Sequence, residues 1–376
     1  MQYTAKINYL VLSDIHLGHD KNKTETIVEH LVEYFKEYHK VFSKLNIIFI
    51  AGDIFDKLLM PNSKQYLLAI EWLTIICKYC SHNGIKLRIL EGTKSHDWQQ
   101  ASVMNTVLSR LNIDLDFKYI DTLAIEKMSD IDLSILYVPD EYNHKAVDTY
   151  KEVKELLRDN GLGKVDIAIM HGQFHYQLPM IVLESSHNEE DYIDIVKYYI
   201  SIGHIHRHSV NGKILAQGSF DRLAQGEEEG KGGMLISIDK NLDRAEFRFI
   251  ENKLATIFKT FDYSMYDDVG INKIIERDLK NIKAGSYIRL IVSIDSMLTK
   301  SKKDINIQYP NITVGVETIN QKKSKEKSID LKSSVVIDSF HITKDNIISL
   351  LNIAIEKHKL TKEELSILDE ELLVVI

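Results

Sequence analysis

A chain of 376 residues exceeds what one hydrophobic core ordinarily supports, so two or three domains are expected. Its 44% hydrophobic and 27% charged residues fit a globular protein and exclude a collagen-like or low-complexity one; the net charge of −8 excludes a surface that is basic all over, though not a local groove for nucleic acid. No apolar run approaches the roughly 18 residues of a membrane span, and no basic stretch leads into a cleavable apolar segment, so a cytoplasmic protein without a membrane partner is expected.

The first element is Tyr9-Leu-Val-Leu-Ser-Asp14-Ile-His16-Leu-Gly18. Its branched apolar residues read as a buried strand, and Asp14 and His16, two positions apart, leave its carboxyl end pointing the same way; a polar turn is the plainer alternative. From Thr24 to Leu45, apolar residues at helical spacing predict one long amphipathic helix. A second apolar run, Asn46-Ile-Ile-Phe-Ile-Ala-Gly-Asp53, again ends in a carboxylate. The helix predicted over Ser63 to His82 holds both cysteines, Cys77 and Cys80, in a Cys-x-x-Cys spacing. With no second pair to complete a zinc cage, they read as small core-facing or half-exposed residues.

A third strand, Ile85 to Gly92, runs into Thr93-Lys-Ser95-His96-Asp97. Adjacent short strands are expected between Asp114 and Pro139, then a helix over about 143–160, then Val165-Asp-Ile-Ala-Ile-Met-His171-Gly172 and Tyr198-Tyr-Ile-Ser-Ile-Gly203-His204-Ile-His206. Alternating strands and helices predict a layered α/β fold. Further strands follow at Lys213 to Gln217 and Met234 to Ile238. Beyond about Asn252 no polar strand end recurs; Tyr263 to Asn281 is weakly helical, and a strand begins at Tyr287. The stretch from Gln321 to Lys332 sets five lysines against Glu326 and Asp330, either a solvated loop or one that faces phosphate. Two closing helices are predicted, Thr343 to Lys357 and Thr361 to Leu372, the second opened by a capping box at Thr361 and Glu364.

The polar strand ends are Asp14 with His16, Asp53, Ser95 with His96, His171, and His204 with His206. Strands of one α/β layer deliver their carboxyl ends to a common crevice, so these groups are expected to converge. Aspartate and histidine suit divalent manganese, iron or zinc, and a carboxylate is the natural bridge between two such ions. The remaining histidines beside these motifs, His175 and His208, read as ordinary.

The ordered motifs Asp14-x-His16, Gly52-Asp53-x-x-Asp56, Ser95-His96-Asp97, His171-Gly172 and Gly203-His204-x-His206 resemble the calcineurin-like metallophosphoesterases over roughly the first 220 residues. Within them, Ser-Asp-x-His-Leu-Gly, Gly-Asp-Ile-Phe-Asp and the late Gly-His-x-His look like the SbcD-type nuclease subunit and its phage recombination-endonuclease relatives. The resemblance implies a metallophosphoesterase sandwich of β-sheets flanked by helices over 1–252, a small α+β capping domain that guides DNA over 253–340, and partner-binding helices over 341–376.

It also implies two divalent ions, with manganese expected. Asp14, His16, Asp53 and His206 would hold the first; Asp53, His171 and His204 would hold the second. His96 would meet the substrate phosphate, while Asp56 and Asp97 would act as outer acceptors. This chain departs from the pattern at Lys94 and Ser95, where the family places a glycine and an asparagine ligand, so Ser95 is left to offer the neutral oxygen to the second ion. The implied activity is two-metal hydrolysis of DNA phosphodiesters by a metal-bridging hydroxide, in double-strand-break repair or recombination. The implied partners are DNA and a coiled-coil ATPase of the SbcC type, a homodimer being a further option. The alternatives are a phosphoesterase for small nucleotides or phosphoproteins, and a scaffold subunit with a weakened metal site.

Overall fold

The opening strand is apolar on both faces because both faces are covered. In a computed structural model, which describes residues 6–178, 185–266, 268–299 and 302–319, Ile7, Tyr9 and Val11 of β1 (Lys6–Leu12) enter one core while Leu10 and Leu12 enter another. The next strand, β2 (Ile47–Ala51), divides in the same way, with Ile47, Phe49 and Ala51 on one side and Ile48 and Ile50 on the other. Alternation of side chains along a strand makes each such run a partition between two apolar layers.

The first sheet has six strands in the order β12-β11-β1-β2-β3-β4. Besides β1 and β2 it contains β3 (Lys86–Leu90), β4 (Phe117–Ile120), β11 (Gly232–Asp239) and β12 (Arg244–Glu251). β1 to β4 run parallel, and β11 returns antiparallel against β1. The second sheet also has six strands, β5-β6-β7-β8-β10-β9. These are β5 (Ala124–Met128), β6 (Leu133–Val138), β7 (Ile167–His171), β8 (Ile200–Gly203), β9 (Ser209–Asn211) and β10 (Ile214–Ala216). The expected adjacency of the two short strands near 124–138 appears as the antiparallel pair β5 and β6.

The two sheets face each other across the core that holds Tyr9, Phe49, Tyr137, Ile169 and Ile236. Helices Thr24–Glu37 and Lys64–Asn83 cover the outside of the first sheet, and Ala146–Asp159 and Glu189–Ile195 cover the outside of the second. The fold is therefore layered α/β, with two mixed six-stranded sheets flanked by helices.

A third, parallel sheet, β13 (Phe258–Asp262), β14 (Tyr287–Ser293) and β15 (Thr313–Ile319), packs on helix Asp268–Leu279 around its own core of Ile271, Ile275, Leu290 and Val314. Gln225 Nε2 donates to Tyr287 O at 3.1 Å and Arg222 Nη1 to Thr256 O at 3.3 Å, fastening this sheet to the loop that follows β10. All described residues fall within one compact unit.

One local expectation changes. The helix predicted through Leu45 stops at Glu37, because Tyr38 leaves helical geometry at φ −96°, ψ 13°, and one further turn, His39–Phe42, folds Phe42 back into the core. Cys77 and Cys80 are free and buried, and burial pushes the Cys77 thiol up to about 12, as suits inert packing residues. The lysine-rich stretch from Gln321 and the closing helices expected over 341–376 lie outside the described residues. Among the described residues no helix is long and apolar enough to cross a membrane.

Candidate metal centre

The polar strand ends meet, but through two sheets and not through one layer. β1, β2 and β3 deliver Asp14, His16, Asp53 and His96 from the first sheet; β7 and β8 deliver His171, His204 and His206 from the second. Three sets of ligand atoms each lie within 4.8 Å of one another: Asp14, His16 and His206; His16, Asp53 and His96; and Asp53, His171 and His204. These buried histidine and aspartate clusters can hold a metal ion.

The side chains converge because the backbone turns sharply at the strand ends. Asp14 (φ 51°), His16 (φ 54°), Asp53 (φ 52°) and His204 (φ 104°) all have positive φ, a conformation that residues with a Cβ rarely adopt. Asp14 and His16 lie beyond β1 and share a cluster through this turn, not through strand alternation. Two glycines create the room. A Cβ on Gly52 would stand 2.2 Å from His171 Nδ1, and one on Gly92 would stand 2.3 Å from Asp53 Oδ1. Only a bare backbone fits between these side chains.

Two of the inner imidazoles are held from outside through Nδ1. His171 Nδ1–H donates to Ala51 O at 2.7 Å, and His206 Nδ1–H donates to Glu227 Oε1 at 3.2 Å. His16 Nδ1 lies 3.2 Å from Asp56 Oδ1. Carboxylates and carbonyls only accept, so the hydrogen bonds of His171 and His206 place their ring protons on Nδ1 and leave their Nε2 lone pairs turned inward. His16 Nε2 and His206 Nε2 stand 3.0 Å apart. His171 Nε2 is buried without a hydrogen-bond partner, 3.3 Å from Asp53 Oδ1. The His171 lone pair against a carboxylate repels unless a cation or a proton lies between them, and a divalent ion fits this donor set of imidazoles and carboxylates.

Asp53 is the hub. Oδ1 accepts from Thr93 N at 2.6 Å, Oδ2 accepts from His96 Nδ1 at 2.9 Å, and Oδ2 lies 3.8 Å from His16 Nε2. Burial works against its charge, but His171 and the hydrogen-bonding histidines win and hold the carboxyl well below the usual range. Asp14 accepts from His204 N at 2.9 and 3.1 Å, which ties the end of β1 to the end of β8. Asp97 braces the loops from beneath, accepting from Asp53 N at 3.0 Å, Phe55 N at 2.9 Å and Gly92 N at 2.8 Å.

The Ser95 hydroxyl makes no hydrogen bond to the residues of the three clusters. Ser95 is exposed on the single turn Lys94–Asp97, where its carbonyl accepts from Trp98 Nε1 at 2.8 Å. The neutral oxygen beside Asp53 and His204 belongs to Thr93, whose Oγ1 lies 3.3 Å from Asp53 Oδ2 and 3.3 Å from His204 Nδ1. Sequence reasoning also passed over Glu227, since nothing in the run Gly226-Glu-Glu-Glu marks which glutamate turns inward. His175 and His208 stay outside the clusters, bonded to Ser186 O and Ala216 O at 3.1 and 3.0 Å.

No family model matches the chain, and no curated protein matches it. Among solved structures, the crystal structure of TT1561 of Thermus thermophilus is similar at a TM-score of 0.36 and 11% identity, covering 65% of this chain and 98% of that one. Another crystal structure aligns at 0.38 and 12% identity, over 65% of this chain and all of the other. Likenesses this weak carry no argument about function.

Proposed function

We propose that this protein is a two-metal phosphodiesterase that cuts DNA, with Asp14, His16, Asp53 and His206 around one ion and Asp53, Thr93, His171 and His204 around the other. The observation that carries the reading is Asp53, a buried carboxylate whose two oxygens address histidines of different clusters. When bound, two divalent ions such as manganese would neutralise phosphate oxygens and lower the pKa of the attacking water.

The chain's own groups supply the rest. Asp14, His16, His171, His204 and His206 present fixed lone pairs, so little reorganisation accompanies binding. His96 has 32% of its side chain exposed, close to the 29% of His206 and well above the 3% of His16 and 0% of His171. Its Nδ1–H is committed to Asp53, which leaves Nε2 free to face a substrate. In the metal-free site burial disfavours the imidazolium, while the hydrogen bond and charge of Asp53 favour it and raise its pKa above the ordinary histidine value. The position of His96 suits it to meet the substrate phosphate or to donate a proton to the departing oxygen.

The preference for DNA and a coiled-coil ATPase partner rest on the motif order alone. A comparison with added manganese tests the substrate: linear duplex DNA against bis-para-nitrophenyl phosphate and cyclic nucleotides. Cleavage of the duplex is expected. Turnover of cyclic nucleotides with intact DNA would replace the nuclease reading by a small-nucleotide phosphoesterase.

A further inference from the structure

The loop between Ser219 and Lys231 holds a buried carboxylate that the reaction as described does not use. Glu227 is 5% exposed, and both of its oxygens are committed. Oε2 accepts from Lys231 Nζ at 2.9 Å and from Leu223 N at 3.2 Å, while Oε1 accepts from His206 Nδ1 at 3.2 Å. Lys231, only 1% exposed, also donates from Nζ to the carbonyl of His206 at 2.9 Å and to Glu229 Oε1 at 2.8 Å. The pair thus grips His206 by ring and by backbone. A buried ion pair is a poor device for stability, because desolvation consumes most of its attraction, whereas a carboxylate behind a histidine fixes which ring nitrogen carries the proton.

We propose that Glu227, backed by Lys231, is a positioning residue that locks His206 with Nδ1 protonated and Nε2 directed at the Asp14 and His16 cluster, so that it sets the affinity of that one metal position. The proposal rests on the reading of this cluster as a metal site. Glu227 touches neither ion nor substrate; it acts through the imidazole. Ring orientation at the other cluster depends on Ala51 O and Thr93, so Glu227 leaves that position alone.

The test is a manganese titration, followed by the paramagnetic resonance of free Mn²⁺, on the full chain and on Glu227→Gln, His206→Ala and the double variant at one pH. Thermal unfolding of each protein checks the fold. Two binding positions are expected in the wild type. Glu227→Gln is expected to weaken one of them by about 10–100-fold, His206→Ala to weaken the same one, and the double variant to bind no more weakly than His206→Ala alone. Losses that multiply in the double variant, or a fall at both positions together, mean a general structural role and overturn the proposal. Equal binding by wild type and Glu227→Gln overturns it while the metal reading stands. A wild type that takes up no manganese overturns both. If Glu227→Gln unfolds, Glu227→Gln/Lys231→Met, which removes the buried charges together, takes its place in the same cycle.

Discussion

On the proposed two-metal reading, Asp53 would hold both ions while other residues would only hold a ligand in place. Asp56 lies behind His16 and acts through it, so Asp56→Ala is expected to weaken manganese binding by about 10–100-fold at one position. Asp53→Ala is expected to exceed that loss and to affect both positions; equal losses, read by metal analysis after dialysis, would remove Asp53 from the bridge. The neutral oxygen is a second discriminating point. Because Thr93 Oγ1 lies 3.3 Å from both Asp53 and His204 while Ser95 is exposed, Thr93→Val should weaken the second metal, and Ser95→Asn should leave its titration unchanged. A gain of affinity in Ser95→Asn would return the ligand to Ser95. His96→Ala should keep the metals and lose about 10²–10⁴ in cleavage rate, the usual worth of a positioned acid. Loss of metal in that variant would make His96 a ligand.

At the scale of the element, the loops after the parallel strands are held by groups that have a pH response of their own. Glu91, just past β3, is 5% exposed; its Oε1 accepts from Gln99 N at 2.9 Å, while Oε2 has no partner. Burial, reinforced by the nearby charge of Asp97, pushes its pKa up to about 8 from the ordinary 4.5. A carboxyl whose pKa is raised on folding favours the folded state fully below its unfolded value, and that contribution is lost as pH rises through the folded value. Glu91 therefore lowers stability progressively between about 4.5 and about 8. Glu91→Gln should raise the melting temperature relative to wild type at pH 8–9, with the advantage shrinking toward pH 5. An advantage that is the same at both pH values would place its origin in packing and not in the charge. The loop after β3 also carries Trp98 and Gln99 at φ 48° and 55°, so Glu91 secures a strained backbone beside His96.

At the scale of the molecule, the two sheets must keep their register, since the candidate metal ligands are divided between them. One clamp is Arg88 on β3, 2% exposed, which donates from Nε to Glu126 Oε2 of β5 at 2.9 Å and from Nη2 to Asp116 Oδ1 at 2.7 Å. Tyr137 of β6 donates to the same Glu126 oxygen at 2.8 Å. Without Arg88, Glu126 keeps Lys118 and Tyr137 and the half-exposed Asp116 keeps Lys86, so Arg88→Ala should cost less in denaturant unfolding than the roughly 3–5 kcal/mol of a stranded buried charge. A loss below about 1 kcal/mol would class the pair with exposed ion pairs.

The sequence by itself determined the strands and their polar ends, because an apolar run buried on both faces can only be a partition, and a carboxylate or imidazole at its tip has no packing reason to be there. It determined that Asp14, His16, Asp53, His171, His204 and His206 form a set. What only the tertiary structure decided was the means of convergence. Positive φ at four residues beyond three strand ends, and two facing sheets, bring the groups together, and neither follows from the periodicity of a single strand. The outer partners were equally hidden. Thr93 Oγ1 approaches Asp53 at 3.3 Å, which motif reading did not foresee, since the side chain that reaches Asp53 depends on where the chain turns after Gly92. Glu227 comes to His206 from 21 residues away, through a loop whose three glutamates look alike until folding buries one of them against an imidazole and a lysine.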